Sequence, residues 1–160
     1  MFRRFACMTI KVLFLSRHNA GRSQIAEHML NHMGGGRFDA VSAGMIPAQV
    51  NPLAIEVLGE MGIDASRAQS RSLAQLGETK FDFIINICEH STATCAAPGS
   101  ETCPVYPGAD SHGCWGFSDT MAIAEDHEAM RQQLRLVRDQ LGNRLRIWMA
   151  AVDKPKVILR

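Results

Sequence analysis

Ile10-Lys11-Val12-Leu13-Phe14-Leu15-Ser16-Arg17-His18-Asn19-Ala20-Gly21-Arg22-Ser23 is the stretch that decides the fold. Ile10 to Ser16 is short, apolar and β-branched at its start, which reads as a buried strand. Arg17 to Gly21 reads as a turn. A helix is expected from about Arg22 to Met33, with Ile25, Met29 and Met33 on one face at spacing four. Strand, tight turn and helix in this order wrap successive backbone N–H groups around a tetrahedral oxyanion at a helix N-terminus. Gly21 permits close backbone approach or a positive φ. Arg22 can pair two oxygens of a phosphate-like ligand bidentately. Ser16, at the end of the strand, points its side chain at the ligand's central atom. Taken alone, the same residues also read as a strand–turn–helix with basic residues there by chance.

The surroundings continue this pattern. Gly34-Gly35-Gly36 ends the first helix, and Phe38 to Ser42 reads as a second strand. Asn51-Pro52 opens a second helix, with an N-cap followed by proline at the first helical position; it runs to about Met61 and Gly62 closes it. Phe81 to Ile87 is a third strand. Residues 88–120 read as a long polar loop rich in Cys, Pro and Gly, with a short strand at Pro104 to Tyr106; a loop of that length is expected to be functional. The last helix is expected from about Ile123 to Ala150. Met130, Leu134, Val137, Leu141, Leu145 and Trp148 form its apolar stripe, read as core packing. Strands alternating with helices predict an α/β fold: one three-layer domain with a central parallel sheet of about four strands and helices on both faces.

Composition excludes several classes. At 160 residues the chain has room for one ordinary domain. Lys and Arg number 17 against 16 Asp and Glu, so no net basic charge favours nucleic acid or a membrane surface. No apolar run approaches the roughly 20 residues of a membrane helix. Residues 1–9 read as a leader, with Met8 as an alternative start, residues 10–150 as the domain and 151–160 as a tail. A cytoplasmic location is expected. Five cysteines are present: Cys7, Cys88, Cys95, Cys103 and Cys114. An odd count without export signals argues against a structural disulfide framework. The crowding of four between Cys88 and Cys114 points instead to redox chemistry, metal binding or coincidence.

The loop pattern resembles C-x5-R-S, which marks low-molecular-weight protein tyrosine phosphatases and the arsenate reductases that share their fold. The string His18-Asn19-Ala20-Gly21-Arg22-Ser23-Gln24-Ile25-Ala26-Glu27 resembles the reductase branch in particular. The resemblance extends through Ser42-Ala43-Gly44, similar to the family's post-strand turn, through Asn51-Pro52 to Gly62-Ile63-Asp64, and through Ser70-Arg71-Ser72-Leu73. It implies that Arg17, His18, Asn19, Ala20, Gly21, Arg22 and Ser23 bind the oxyanion. Position 16 departs from the family, which carries cysteine there. The helix terminus and Arg22 would favour a thiolate; a serine hydroxyl has no such reach and supplies no electrons. Ser16 is either an introduced change that disables the site or native to a chain that binds without turnover. A potassium-binding subset of the family has an acidic residue where Arg71 stands, so that ion site is not carried over.

The same resemblance implies a cysteine relay. Cys88, just past the third strand, would attack the arsenate adduct of the first cysteine and release arsenite. Cys103, in Cys103-Pro104-Val105-Tyr106-Pro107-Gly108, would take the disulfide outward to thioredoxin or a similar thiol donor. The Cys88–Cys103 spacing is longer than the family's, which leaves Cys95 as the reserve. A zinc site from Cys88, His90, Cys95, Cys103, His112 and Cys114 is the competing reading, but no C-x2-C or H-x3-H pair supports it. Cys7 and Cys114 read as incidental. Trp115-Gly116-Phe117-Ser118-Asp119 resembles the segment that carries the general acid, which assigns that role to Asp119, with Thr120 where the family has proline and Asp110 as the fallback.

The resemblance therefore implies an arsenate reductase with no bound cofactor and no metal. Its partners would be arsenate or phosphate and a thioredoxin-like reductant, with neither nucleic acid nor membrane. The alternatives are an arsenate- or phosphate-binding sensor and a tyrosine phosphatase. The phosphatases usually carry tyrosines near the general acid, whereas this chain has only Tyr106.

Overall fold

Six of the seven residues of β1 (Ile10–Ser16) are apolar or small and place it inside a four-stranded sheet, Lys11 alone reaching outward. The computed structural model describes residues 8–88, 106, 109–117 and 126–152. Within them the order is β1, α1 (Arg22–Met33), β2 (Phe38–Gly44), α2 (Pro52–Gly59), a 3-10 turn (Leu73–Leu76), β3 (Phe81–Cys88), β4 (Ala109–Gly116) and α3 (His127–Val152). The sheet order is β2-β1-β3-β4, and all pairings are parallel. Parallel strands end on one edge, so Ser16, Gly44, Cys88 and Gly116 share the C-terminal edge where ligands of open α/β sheets bind.

Alternation along β1 sorts the core. Val12 and Phe14 face a cluster with Ile25, Met29, Leu53, Val57, Leu134 and Leu141, which joins all three α-helices to one side of the sheet. Leu13 and Leu15 face a smaller cluster with Leu76, Phe81, Ile84 and Tyr106. Among the described residues, then, the expected second helical layer consists of the 3-10 turn and Tyr106. The stripe of α3 packs as read: Leu134, Val137, Leu141 and Leu145 are buried. Gly142 sits where a Cβ would come within 2.9 Å of Met29 Cε, so α3 can press closely onto α1.

Several boundaries differ from expectation. Ser42-Ala43-Gly44 is not a turn after β2 but its last three residues, paired with Phe14, Leu15 and Ser16. α2 stops at Gly59, and Gly62, at φ 75°, turns the chain beyond it. α3 starts at His127 rather than near Ile123, because Asp126 caps it: its Oδ1 accepts from Ala129 N–H at 2.7 Å. The fourth strand is Ala109–Gly116, inside the stretch read as loop. It is an edge strand bonded only to β3, so it does not need the apolar run that marks β1. The strand expected at Pro104 to Tyr106 lies, apart from Tyr106, outside the described residues. No helix among them is long and apolar enough to cross a membrane.

Candidate active site

The turn after β1 is held open from outside. Arg17 O accepts from Ile46 N–H at 2.9 Å, and His18 O from Ala48 N–H at 3.0 Å. Asn19 O accepts from Gln24 Nε2 at 3.1 Å. Ala20 O accepts from Asn51 N–H at 2.8 Å, and Gly21 O from Ile25 N–H at 3.0 Å. Five consecutive carbonyls therefore point outward and are paired. In a planar trans peptide the N–H points opposite to the C=O, so the amides of residues 18–22 are left facing the loop's centre. Asn19 N–H is spent on Ser16 Oγ at 3.1 Å. No side chain caps α1 at Gly21, so an anion at this helix terminus would meet backbone and not a capping side chain.

The loop's conformation depends on Asn19 within it and on residues that close in behind it. Asn19 takes a positive φ of 49°, which asparagine tolerates better than most side chains. Its Oδ1 accepts from Arg71 N–H at 2.9 Å and Gln24 Nε2 at 3.0 Å, and its Nδ2 donates to Ser23 Oγ at 2.9 Å. Gly44 lies so near that a Cβ there would stand 2.9 Å from Asn19 N and 3.0 Å from Arg17 O. The Arg71 guanidinium pairs with Glu27 at 3.3 Å, and the buried Ser42 hydroxyl donates to the same carboxylate. Sequence reading missed this group; its one signal was a carboxylate, Glu27, on the core-facing side of α1, where only 8% of it is exposed.

Ser16 sits at the centre, buried, with Oγ 2.7 Å from Ser23 Oγ. Arg22 lies at the rim, and its Nη1 donates to Phe117 O at 2.8 Å, just past β4. That contact ties the Arg22 guanidinium to the residue that follows β4. Arg17 and His18 are exposed; His18 Nδ1 lies 3.1 Å from Ile46 O and donates to it. Ala20 and Gly21 contribute backbone only.

The structure brings Cys88 to the same edge. Leu15 is level with Asn86, so the Cys88 backbone stands one step beyond Ser16 along the sheet. Cys95, Cys103, Asp110 as a side chain, and Asp119 lie outside what the structure describes. Cys114, read as incidental, is disulfide-bonded to a sulfur outside the described side chains, which removes it from the zinc ligands of the competing reading. Tyr106 is buried against Phe81, and its hydroxyl donates to Thr79 O at 2.7 Å and Gly77 O at 3.1 Å. It braces the turn before β3, at the end of the sheet opposite Ser16.

Comparison with known proteins agrees with this geometry. Residues 11–157 match the family described as low molecular weight phosphotyrosine protein phosphatase. An arsenate reductase of Halalkalibacterium halodurans is 31% identical over 84% of this chain and 91% of its own. A solved arsenate reductase in its phosphate-binding state superposes with a TM-score of 0.70 at 25% identity, over 91% of this chain and 100% of that one. A thioredoxin-dependent arsenate reductase of Corynebacterium glutamicum gives 0.62 at 28% identity, over 92% of this chain and 63% of that longer one. With a family match over residues 11–157 and these relatives spanning most of its length, the chain belongs to the low molecular weight phosphotyrosine protein phosphatase family, in its arsenate reductase branch.

Proposed function

We propose that the site is that of an arsenate reductase, with arsenate seated in the loop 16–23 and reduced through a cysteine relay. The observation that carries this reading is the ring of five outward-bonded carbonyls, which leaves inward amides and Arg22 around residue 16. A tetrahedral oxyanion satisfies those donors; an apolar ligand would leave them unpaired.

Reducing arsenate to arsenite takes two electrons. With cysteine at position 16, that thiolate attacks arsenic and water leaves with help from Asp119. Cys88 then attacks the first sulfur. A disulfide forms between Cys88 and the thiol at position 16, the As–S electron pair stays on arsenic, and arsenite departs. Cys103, or Cys95 in its place, takes over the disulfide and presents it to an external thiol reductant of the thioredoxin kind in the cytoplasm. The position of Cys88 on the loop's edge and the thioredoxin-dependent relative support this order.

Ser16 interrupts the scheme at its first step, because a hydroxyl can neither ionise there nor accept a sulfur partner. The chain as written therefore binds the oxyanion and does not reduce it. An oxyanion receptor is the second reading, favoured by a Ser16 hydroxyl held in place by Asn19 N–H and Ser23 Oγ. The buried, backbone-bonded Tyr106 gives no support to a tyrosine phosphatase.

Arsenite release by the Ser16→Cys variant with a thioredoxin-coupled donor tests the proposal. Release that vanishes on adding Cys88→Ser, and that falls to a single turnover on adding Cys103→Ser but not Cys95→Ser, is the expected result. A Ser16→Cys variant that binds arsenate yet yields no arsenite would leave the receptor reading in its place.

A further inference from the structure

The charge state of the bound oxyanion follows from a proton count at Ser16; the count presupposes the oxyanion reading of the loop. Ser16 has one hydroxyl proton and two lone pairs. Asn19 N–H fills one lone pair at 3.1 Å, and the second contact is Ser23 Oγ at 2.7 Å. The Asn19 amide bears on the direction of that contact, in which either oxygen could donate. Its oxygen accepts from Arg71 N–H and Gln24 Nε2, so its nitrogen is the end that donates to Ser23 Oγ. Ser23 is fully buried, and Ser16 Oγ is the only acceptor within reach of its proton among the described residues. Donation from Ser23 satisfies both groups. Ser16 Oγ then accepts twice and is saturated, and its own proton is left for the centre of the loop.

We propose that Ser16 serves as a neutral hydrogen-bond donor to the bound oxyanion, and that the loop thereby selects the dianionic form of phosphate or arsenate. The inward amides, the Arg22 guanidinium and the Ser16 hydroxyl all donate. The phosphate or arsenate monoanion brings two protons that need acceptors, the dianion only one, and Ser16 Oγ has no lone pair to spare. A dianion brings more acceptor capacity and fewer protons to place. Cysteine at the same place would hold a thiolate against the ligand, and its charge would count most heavily against the dianion.

The charged groups around the site are Arg17 and His18 on the loop, Arg22 at the start of α1, and Glu27 of α1 paired with Arg71 behind the loop. Asp119 follows β4 in the chain. Sulfate, a tetrahedral dianion throughout the working range, reports any response of these groups and so isolates the ligand's own proton.

The test is calorimetric titration of the full chain with inorganic phosphate and with sulfate, at mildly acidic and mildly alkaline pH. Phosphate affinity is expected to rise on the order of tenfold across its second ionisation while sulfate does not follow. Ser16→Ala should bind phosphate on the order of tenfold more weakly at alkaline pH. Ser16→Cys should flatten or reverse the rise. A phosphate profile that is flat or merely parallels sulfate, or a Ser16→Ala variant that binds as tightly as the unaltered chain, overturns the donor role. Binding of neither anion at either pH overturns the oxyanion site itself.

Discussion

Arg71 Nη1 stands 3.3 Å from Glu27 Oε1, behind the loop that both residues help to shape. Glu27 is nearly buried on α1, and Arg71 reaches Asn19 through its own backbone N–H. Arg71→Met removes the counter-charge and leaves the carboxylate with only the Ser42 hydroxyl. The expected cost is about 1–2 kcal/mol, below that of a fully buried pair because Arg71 is partly exposed. Phosphate affinity should fall as well, and Arg71→Lys should recover part of both losses. Denaturant unfolding and calorimetric titration read the two effects; a variant with unchanged stability and affinity would show the pair to be idle.

Gly44 touches the loop from β2. The added methyl of Gly44→Ala meets backbone, at 2.9 Å from Asn19 N, and backbone cannot rotate away. Overpacking of this kind costs about 1–3 kcal/mol. The shift falls on the residue whose positive φ forms the loop, so phosphate affinity is expected to drop on the order of tenfold in a chain that still folds. Parent-like affinity in the folded variant would mean that the loop yields freely.

Glu60 on the turn after α2 accepts from Arg135 at 2.5 Å and from Arg138 at 2.8 Å, both on α3. These hydrogen bonds, Arg135 first, hold its pKa down at about 2, against an ordinary value of 4.5. A depressed folded-state pKa contributes stability that is present above pH 4.5 and is lost as pH falls toward about 2. Glu60→Gln should therefore be less stable near neutrality by about 0.5–1 kcal/mol after solvent screening. The gap to the parent should close over that acid window. Thermal melts across the window check the sign; a gap that widens on acidification contradicts the assignment.

Cys114 is disulfide-bonded, so alkylation without reductant should leave it unmodified and reduction should expose it together with one more thiol. Peptide mapping of the unreduced chain identifies the second cysteine. Full alkylation of Cys114 before reduction would contradict the bond.

The legible parts of this molecule are those where one residue type has one physical reason to be present. The apolar run of β1, the turn at Gly21 and the spacing of Ile25 and Met29 each announce their element, and α1 falls at Arg22–Met33 as read. Asn51 caps α2 through Leu53 N–H at 2.9 Å, as Asn-Pro suggests. β4 was not legible: Ala109–Gly116 is largely polar, contains two glycines and shows no alternation, and its pairing with β3 is what makes it a strand. The supports of the loop were hidden for a different reason. The Phe117 carbonyl that holds Arg22 is backbone, which every residue carries, and the Arg71–Glu27 pair joins positions 44 residues apart.

In the proposed scheme the loop binds the oxyanion, whereas the chemistry requires a thiol at position 16. The most direct measurement is arsenate binding by calorimetry alongside arsenite release by the unaltered chain with a thioredoxin-coupled donor. Saturable binding with no arsenite above the protein-free control is the expected result. Arsenite released by the chain with Ser16 in place would contradict it.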